Sequence, residues 1–288
     1  MVAGSAITAC VESLALQFHG KTDLPFEPYF VAGAPRTGTT ILHALICTDD
    51  SVNDYIAEIS YFTALIHPFT VGWNTFESHT YAYFAGGRPE FARYHSQLLR
   101  AVLHDIWQHV GRPKKLVLKD PVLSRQIGNL VQLLPESKYV LSIRDPRDAV
   151  ASRVTVMRKG NPNATIADQD ILRICEEFNA SYIALIKMPD LFRNRALLVP
   201  YEGLSRSGDL RAIESFMGIT CHPDRVWKSD LTDINRPASK TEWHTEQYGR
   251  PLNADSIGSY TGILTSQQVQ IVLNQCGPVM QQLGLSLA

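Results

Sequence analysis

No run of about 18 apolar residues occurs in the 288-residue sequence, so no transmembrane span is expected. Charge of one sign is missing as well. The 27 Lys and Arg stand against 28 Asp and Glu, a formal net charge of −1, so no global basic field points to nucleic acid or an anionic membrane. Cysteine is sparse and unpatterned: Cys10, Cys47, Cys175, Cys221 and Cys276 form no C-x-x-C pair, which excludes a zinc knuckle or a dithiol redox site. They read as buried free thiols in a reducing compartment. No H-E-x-x-H pattern and no Cys/His cluster with zinc spacing appears, so no metal is expected. The opening MVAGSAITACVESLALQFHGK has no basic stretch before its apolar residues and is interrupted by Glu12, so it reads as an amphipathic helix rather than a signal peptide. The expectation is a soluble, cytoplasmic chain. With 45% apolar residues, no internal repeat and no low-complexity tract, it reads as one domain spanning residues 1–288.

One further lack is more informative. Residues 33–40, GAPRTGTT, have the G-x-x-x-x-G-x-T spacing of a phosphate loop, but Thr39 stands where the nucleotide-triphosphate lysine belongs. The loop follows a buried apolar run and precedes a helical pattern. Its glycines allow a tight turn whose N–H groups point at an anion, and the helix adds its positive end. Thr37, Thr39 and Thr40 supply hydroxyl donors, and Arg36 supplies a planar fork for an oxyanion.

Four short apolar runs predict parallel strands: PYFVAG (28–33), KLVLK (115–119), KYVLSIR (138–144) and ALLVPY (196–201). Each is followed by a helical pattern, which implies an α/β fold with a parallel sheet flanked by helices on both faces. Ligands of such sheets sit at the carboxyl ends of the strands. That rule gathers Pro35–Thr40, Lys119-Asp120-Pro121, Arg144-Asp145-Pro146-Arg147 and Tyr201-Glu202 into one crevice. In IRDPRDAVASRV (143–154), Arg144 emerges at the sheet edge and Ser152 follows about two helical turns into the next helix, so the pair can grip a second phosphate. Residues 61–94 are dense in aromatics, with Gly72, Gly86 and Gly87 as breaks, and read as a loop-rich insertion that could wall an acceptor pocket. Residues 228–262 are polar and turn-rich, and read as a lid-like loop.

The series PRTGTT, LKDP, IRDPRDAVASRV and VPYEGL, in this order and from about Tyr29 to the final helix, resembles the sulfotransferases that use 3′-phosphoadenosine-5′-phosphosulfate (PAPS). The branch containing tyrosylprotein sulfotransferases and related bacterial enzymes is the most similar. The resemblance implies a loop cradling a 5′-phosphosulfate, which needs no γ-phosphate lysine, and a metal-independent transfer leaving 3′-phosphoadenosine-5′-phosphate (PAP). It assigns the loop residues Pro35, Arg36, Thr37, Gly38, Thr39 and Thr40 to the donor, and Arg144 and Ser152 to its 3′-phosphate. It places Tyr201 near the nucleotide, and Arg36 and Lys119 at the transferring group.

Many family members carry a histidine two residues after this lysine. Here that position is Pro121, which closes that route. The tyrosylprotein-like branch uses a glutamate after the first helix, which falls on Glu58; a carboxylate screened from water there would have a raised pKa. His244, in the loop that folds over the site in this family, is the rival base, and His67 a weaker one. Asp120 reads as a cap at the lysine strand end. A basic residue that often completes the 3′-phosphate site is replaced by Ser259, with Arg250 and Lys240 as candidate substitutes. The expected acceptor is a small-molecule hydroxyl or amine, with peptidyl tyrosine as an alternative. A kinase using Mg-ATP is a more distant one, and would leave RDPRDAVAS unexplained.

Overall fold

The computed structural model describes residues 23–159, 161, 164–227 and 249–285. The proposed N-terminal helix, His244 and Lys240 lie outside them. The elements run β1 (Glu27–Gly33), α1 (Thr39–Ile46), α2 (Ser60–Leu65), α3 (His67–Asn74), α4 (Gly87–His109), β2 (Lys115–Lys119), α5 (Ile127–Leu133), β3 (Lys138–Ile143), α6 (Pro146–Met157), α7 (Asp168–Ala180), α8 (Ile183–Lys187), α9 (Pro189–Phe192), β4 (Ala196–Pro200), α10 (Tyr201–Ser207), α11 (Arg211–Met217) and α12 (Ser266–Gln282). The four strands are the four apolar runs of the sequence, shifted by a residue at some ends.

All strand pairs are parallel, in the order β2-β1-β3-β4. The chain steps from β1 outwards to β2 and returns to β3 on the other side of β1. The order therefore reverses between β1 and β3, where a crevice opens beyond the carboxyl ends of such a sheet. Alternation in β1 explains the two covered faces. Phe30 and Ala32 pack with Leu116, Leu118, Tyr139 and Leu141 under α2–α5, whereas Tyr29 and Val31 pack with Val117, Val140 and Val199 under α1, α10 and α11. A third cluster joins α6, α7 and α12 below the end of β3. The α7 stripe Ile171, Ile174, Cys175 and Phe178 and the α12 stripe Val272, Cys276 and Met280 have helical spacing. Cys47, Cys175, Cys221 and Cys276 are free thiols. Among the described residues no helix is long and apolar enough to cross a membrane.

The aromatic segment departs from its expected loop-rich form. It folds as α2, α3, a 3-10 turn (Thr80–Tyr83) and the start of α4. Gly72 does not break the chain but lies inside α3, where an added Cβ would fall 2.4 Å from the Phe91 ring; the glycine allows α3 to pack closely on α4. Phe62, Phe69, Phe76 and Phe91 enter the core, while Tyr61, Tyr81, Tyr83 and Tyr94 face outward.

Candidate active site

The loop between β1 and α1 is braced from beneath. Gly33, at φ 146°, carries no side chain because a Cβ would sit 2.3 Å from the Ser142 carbonyl oxygen of β3. The Thr37 hydroxyl donates to Ala34 O at 2.7 Å and lies 3.2 Å from Ser142 O, while the Ser142 hydroxyl donates to Thr37 O. Thr37 is thus committed to the loop's own backbone rather than presented as a ligand donor. Tyr182, fully buried at the entry to α8, donates to Ser142 O at 2.8 Å and accepts from Ala34 N–H at 3.1 Å. Burial raises the Tyr182 pKa, keeping the hydroxyl protonated.

One side of the crevice is built from β3, α6, α10 and residues 256–260. Gly38, at φ 92°, precedes α1, and a Cβ there would be 2.4 Å from the Tyr201 ring, so the aromatic lies directly on the loop. The Arg144 guanidinium carbon stands 4.7 Å from the centroid of the same ring. Arg144 is only 5% exposed. It donates to Arg36 O at 3.3 Å and to Ser256 O, and its buried Nε has no partner. The Tyr201 hydroxyl meets Ser256 Oγ at 2.9 Å. Asp148, one turn after Arg144 and 3.8 Å from its guanidinium, accepts from Gly258 N–H (2.8 Å), Tyr260 N–H (3.1 Å) and Ser259 Oγ (3.3 Å). This carboxylate straps residues 258–260 to α6. Ser259 is therefore turned to Asp148, and Arg250 is exposed.

The other side lies at the ends of β1 and β2. Lys119 ends β2 at 2% exposure, and its Nζ donates to Glu58 Oε1 at 2.8 Å and to Thr40 Oγ1 at 3.4 Å. The Ile59 N–H donates to Lys119 O at 3.1 Å, which anchors the segment carrying Glu58 beside the lysine. The Glu58 side chain is 47% exposed, so it is not screened from water as expected; the ion pair positions it instead. Asp120 caps the following turn through Val122 N–H at 3.0 Å, and burial raises its pKa. Fully buried His43 contacts Val117 O at 3.1 Å, and burial together with the Lys119 charge lowers its pKa to about 3. His67 is exposed.

Arg36 sits between the two sides. Its Nε donates to Ser152 Oγ at 3.1 Å, towards α6 and the Arg144 end of the crevice. Burial lowers its pKa to about 10, helped by the charges of Arg144 and Arg153 and opposed by Glu58. It remains a cation at neutral pH. The fold thus brings together Arg36, Gly38, Thr40, Glu58, Lys119, Arg144, Ser152 and Tyr201. Sequence reasoning missed Asp148, Tyr182 and Ser256, whose roles depend on contacts between distant segments and leave no local spacing signal. Among the described residues no His, Cys, Asp or Glu cluster could hold a metal ion.

This arrangement suits a ligand with two anionic ends, one over the loop and one against Arg144 and Ser152. A family model described as the sulfotransferase family matches residues 28–224, which contain all of these groups except Ser256. The chain is 26% identical over 293 aligned positions to protein-tyrosine sulfotransferase 2 of Gallus gallus, covering 95% of this chain and 73% of that protein. The fold is similar to the sulfotransferase domain from the curacin biosynthetic pathway, with TM-score 0.59 and 14% identity, covering 93% of this chain and 100% of that one. It is also similar to the sulfotransferase domain of the Synechococcus PCC 7002 olefin synthase, with TM-score 0.55 and 16% identity, covering 93% and 98% of the two chains. The chain belongs to the sulfotransferase family, whose enzymes use PAPS as sulfuryl donor.

Proposed function

We propose that the protein moves the sulfuryl group of PAPS to a hydroxyl or amine of a small-molecule acceptor of the kind made in secondary metabolism. The observation that carries this reading is the position of Lys119, buried between loop residue Thr40 and the accessible carboxylate of Glu58. A cation, a loop donor and a base meet at one point beside an anion cradle.

The residues fit the donor. Arg144 keeps a buried, unpartnered Nε beside the Tyr201 ring, and Gly38 and Gly33 leave no side chain in the cradle. Arg144 and Ser152 would hold the 3′-phosphate; Arg36, Gly38, Thr39 and Thr40 would hold the 5′-phosphosulfate. The bound donor supplies an electrophilic sulfur with a phosphate leaving group. Glu58 takes the acceptor proton, through the oxygen not occupied by Lys119, as the acceptor oxygen or nitrogen bonds to sulfur. The electron pair of the breaking S–O bond passes to the bridging oxygen, where Lys119 and the loop stabilise the charge. Arg36 orients the sulfuryl oxygens once its guanidinium turns from Ser152.

The test has two stages. Calorimetry should give tight, metal-independent binding of PAP and weak binding of ATP with or without Mg²⁺; preference for Mg-ATP would overturn the donor assignment in favour of a kinase. Labelled PAPS should then sulfate members of a panel of phenols, alcohols and amines. Similarity to the Gallus gallus protein supports a second reading, peptidyl-tyrosine transfer. Labelling of tyrosine peptides with none of the small acceptors would favour it.

A further inference from the structure

The phosphate loop rests on β3 through a small set of hydroxyls, and one of them comes from neither element. The Ser142 hydroxyl donates to Thr37 O, and the Thr37 hydroxyl donates to Ala34 O at 2.7 Å. A hydroxyl carries one proton, so Thr37, 3.2 Å from Ser142 O, leaves that carbonyl at best a shared donor. Tyr182 supplies a full one. Its hydroxyl donates to Ser142 O at 2.8 Å and accepts from Ala34 N–H at 3.1 Å, reaching the loop from 148 residues along the chain. The side chain is fully buried, and its ring packs on Phe178 with 5.2 Å between centroids.

These bonds also decide how the other side of the loop is turned. In a planar trans peptide the C=O and N–H point in opposite directions. The described peptide bonds are all trans, so holding the Thr37 carbonyl on the Ser142 hydroxyl turns the Gly38 N–H away from β3. Arg36, two residues before, stands at φ 74°, a left-handed conformation that costs a residue with a side chain, and Arg144 donates to its carbonyl. No side chain caps the start of α1, which leaves the N–H groups of its first turn to other partners. A turn of this kind forms an anion nest, and it persists only where its surroundings over-determine it.

We propose that Tyr182 is a positioning residue: through Ala34 and Ser142 its hydroxyl sets the loop N–H groups on the 5′-phosphosulfate of the donor, which it does not itself touch. The inference rests on the sulfotransferase reading for the identity of that anion. A hydroxyl that served the core alone would cost stability when removed, with no preference for one end of the nucleotide. A hydroxyl that aims the loop costs affinity for the 5′ end and spares the 3′ end, which belongs to Arg144 and Ser152.

The test is Tyr182→Phe, which keeps the ring and its packing. Val272→Ala, in the same apolar cluster but on α12, serves as a destabilised control. The full chain is titrated by calorimetry with PAP and with adenosine 3′-phosphate, which lacks the 5′ group. In Tyr182→Phe, PAP affinity should fall roughly tenfold and affinity for adenosine 3′-phosphate by less than about twofold. In Val272→Ala both should stay within about twofold of the wild type. By amide NMR, the Gly38 signal should move on saturation with PAP in the wild type and in Val272→Ala, and move less in Tyr182→Phe. Equal losses for the two nucleotides, an unchanged PAP affinity or Gly38 response in Tyr182→Phe, or the same losses in Val272→Ala would each overturn the proposal. A wild type that bound PAP no tighter than adenosine 3′-phosphate would overturn the assignment of the loop to the 5′ end instead. Titration with inorganic phosphate, which needs the anion cradle and no nucleotide, would then still report through the Gly38 amide whether Tyr182 aims the loop.

Discussion

The two halves of the crevice are built differently. On the side proposed for the nucleotide, Arg144, Asp148, Tyr201 and Ser256 interlock, with Arg144 and Asp148 buried and each tied to more than one segment. On the side proposed for the acceptor, Glu58 is held through Lys119 and an anchored backbone but remains half open to solvent, and Tyr61, three residues on, is 73% exposed. A donor common to a whole family rewards a preorganised cradle, since ordering costs are met in folding rather than on binding. An acceptor that differs between enzymes is met by side chains on a less enclosed face, whose change leaves the sheet ends untouched.

The largest expected effect tests the acceptor side alone. Glu58→Gln should lower turnover on the order of 10²–10⁴-fold while leaving PAP affinity nearly intact. Turnover that survived would transfer the base to another group, with His244 first in line. Arg144→Ala tests the nucleotide side: PAP binding should weaken on the order of 10–100-fold by calorimetry, with a smaller loss for ATP, as a charge-assisted contact to the 3′-phosphate disappears. Equal losses for both nucleotides would separate Arg144 from that phosphate. Gly38→Ala brings a Cβ against the Tyr201 ring at a positive φ, a strain of about 1–3 kcal/mol. Its thermal midpoint should fall together with PAP affinity, because Tyr201 must shift.

A smaller, graded effect concerns pH. His43 is held neutral, its folded pKa of about 3 lying below the unfolded value near 6.5. The unfolded chain therefore binds the extra proton first. Stability contributed by the neutral ring is fully present above pH 6.5 and is lost as pH falls towards 3, at up to about 1.4 kcal/mol per unit. Buried His95, lowered by the same desolvation, adds to the slope. Denaturant titrations of wild type and His43→Gln between pH 7 and 4 should show a shallower decline in the variant. Smallest of all, Tyr83→Ser, at an 81% exposed ring, should alter stability by less than about 0.5 kcal/mol and leave PAP affinity unchanged. A clear loss of acceptor turnover in that variant would extend the acceptor surface to the Thr80–Tyr83 turn.

Much of this molecule was legible before its structure. The four strands announce themselves because both faces of a parallel sheet are buried, which compels short continuous apolar runs. The loop, Lys119 and Arg144 are visible for a related reason: catalytic groups of such sheets follow strand ends, so chemistry and strand signal adjoin in the chain. The aromatic segment was misread because a glycine in a helical stretch signals a break locally, whereas Gly72 answers to Phe91, a residue of a different helix. Thr37 shows the same limit. Its hydroxyl suits a ligand by composition, but the carbonyls of Ala34 in the loop and Ser142 in β3 claim it.

The sequence by itself determined the strands of the sheet and the glycine loop that follows the first of them, because each depends on neighbours within a few residues along the chain. Only the tertiary structure decided which carboxylate reaches Lys119, that Asp148 straps residues 258–260 to α6, and that Tyr182 braces the loop through Ala34 and Ser142. Those are contacts between segments up to 148 residues apart. Their geometry follows from the order of strands and the packing of helices, which residue spacing along a chain does not encode.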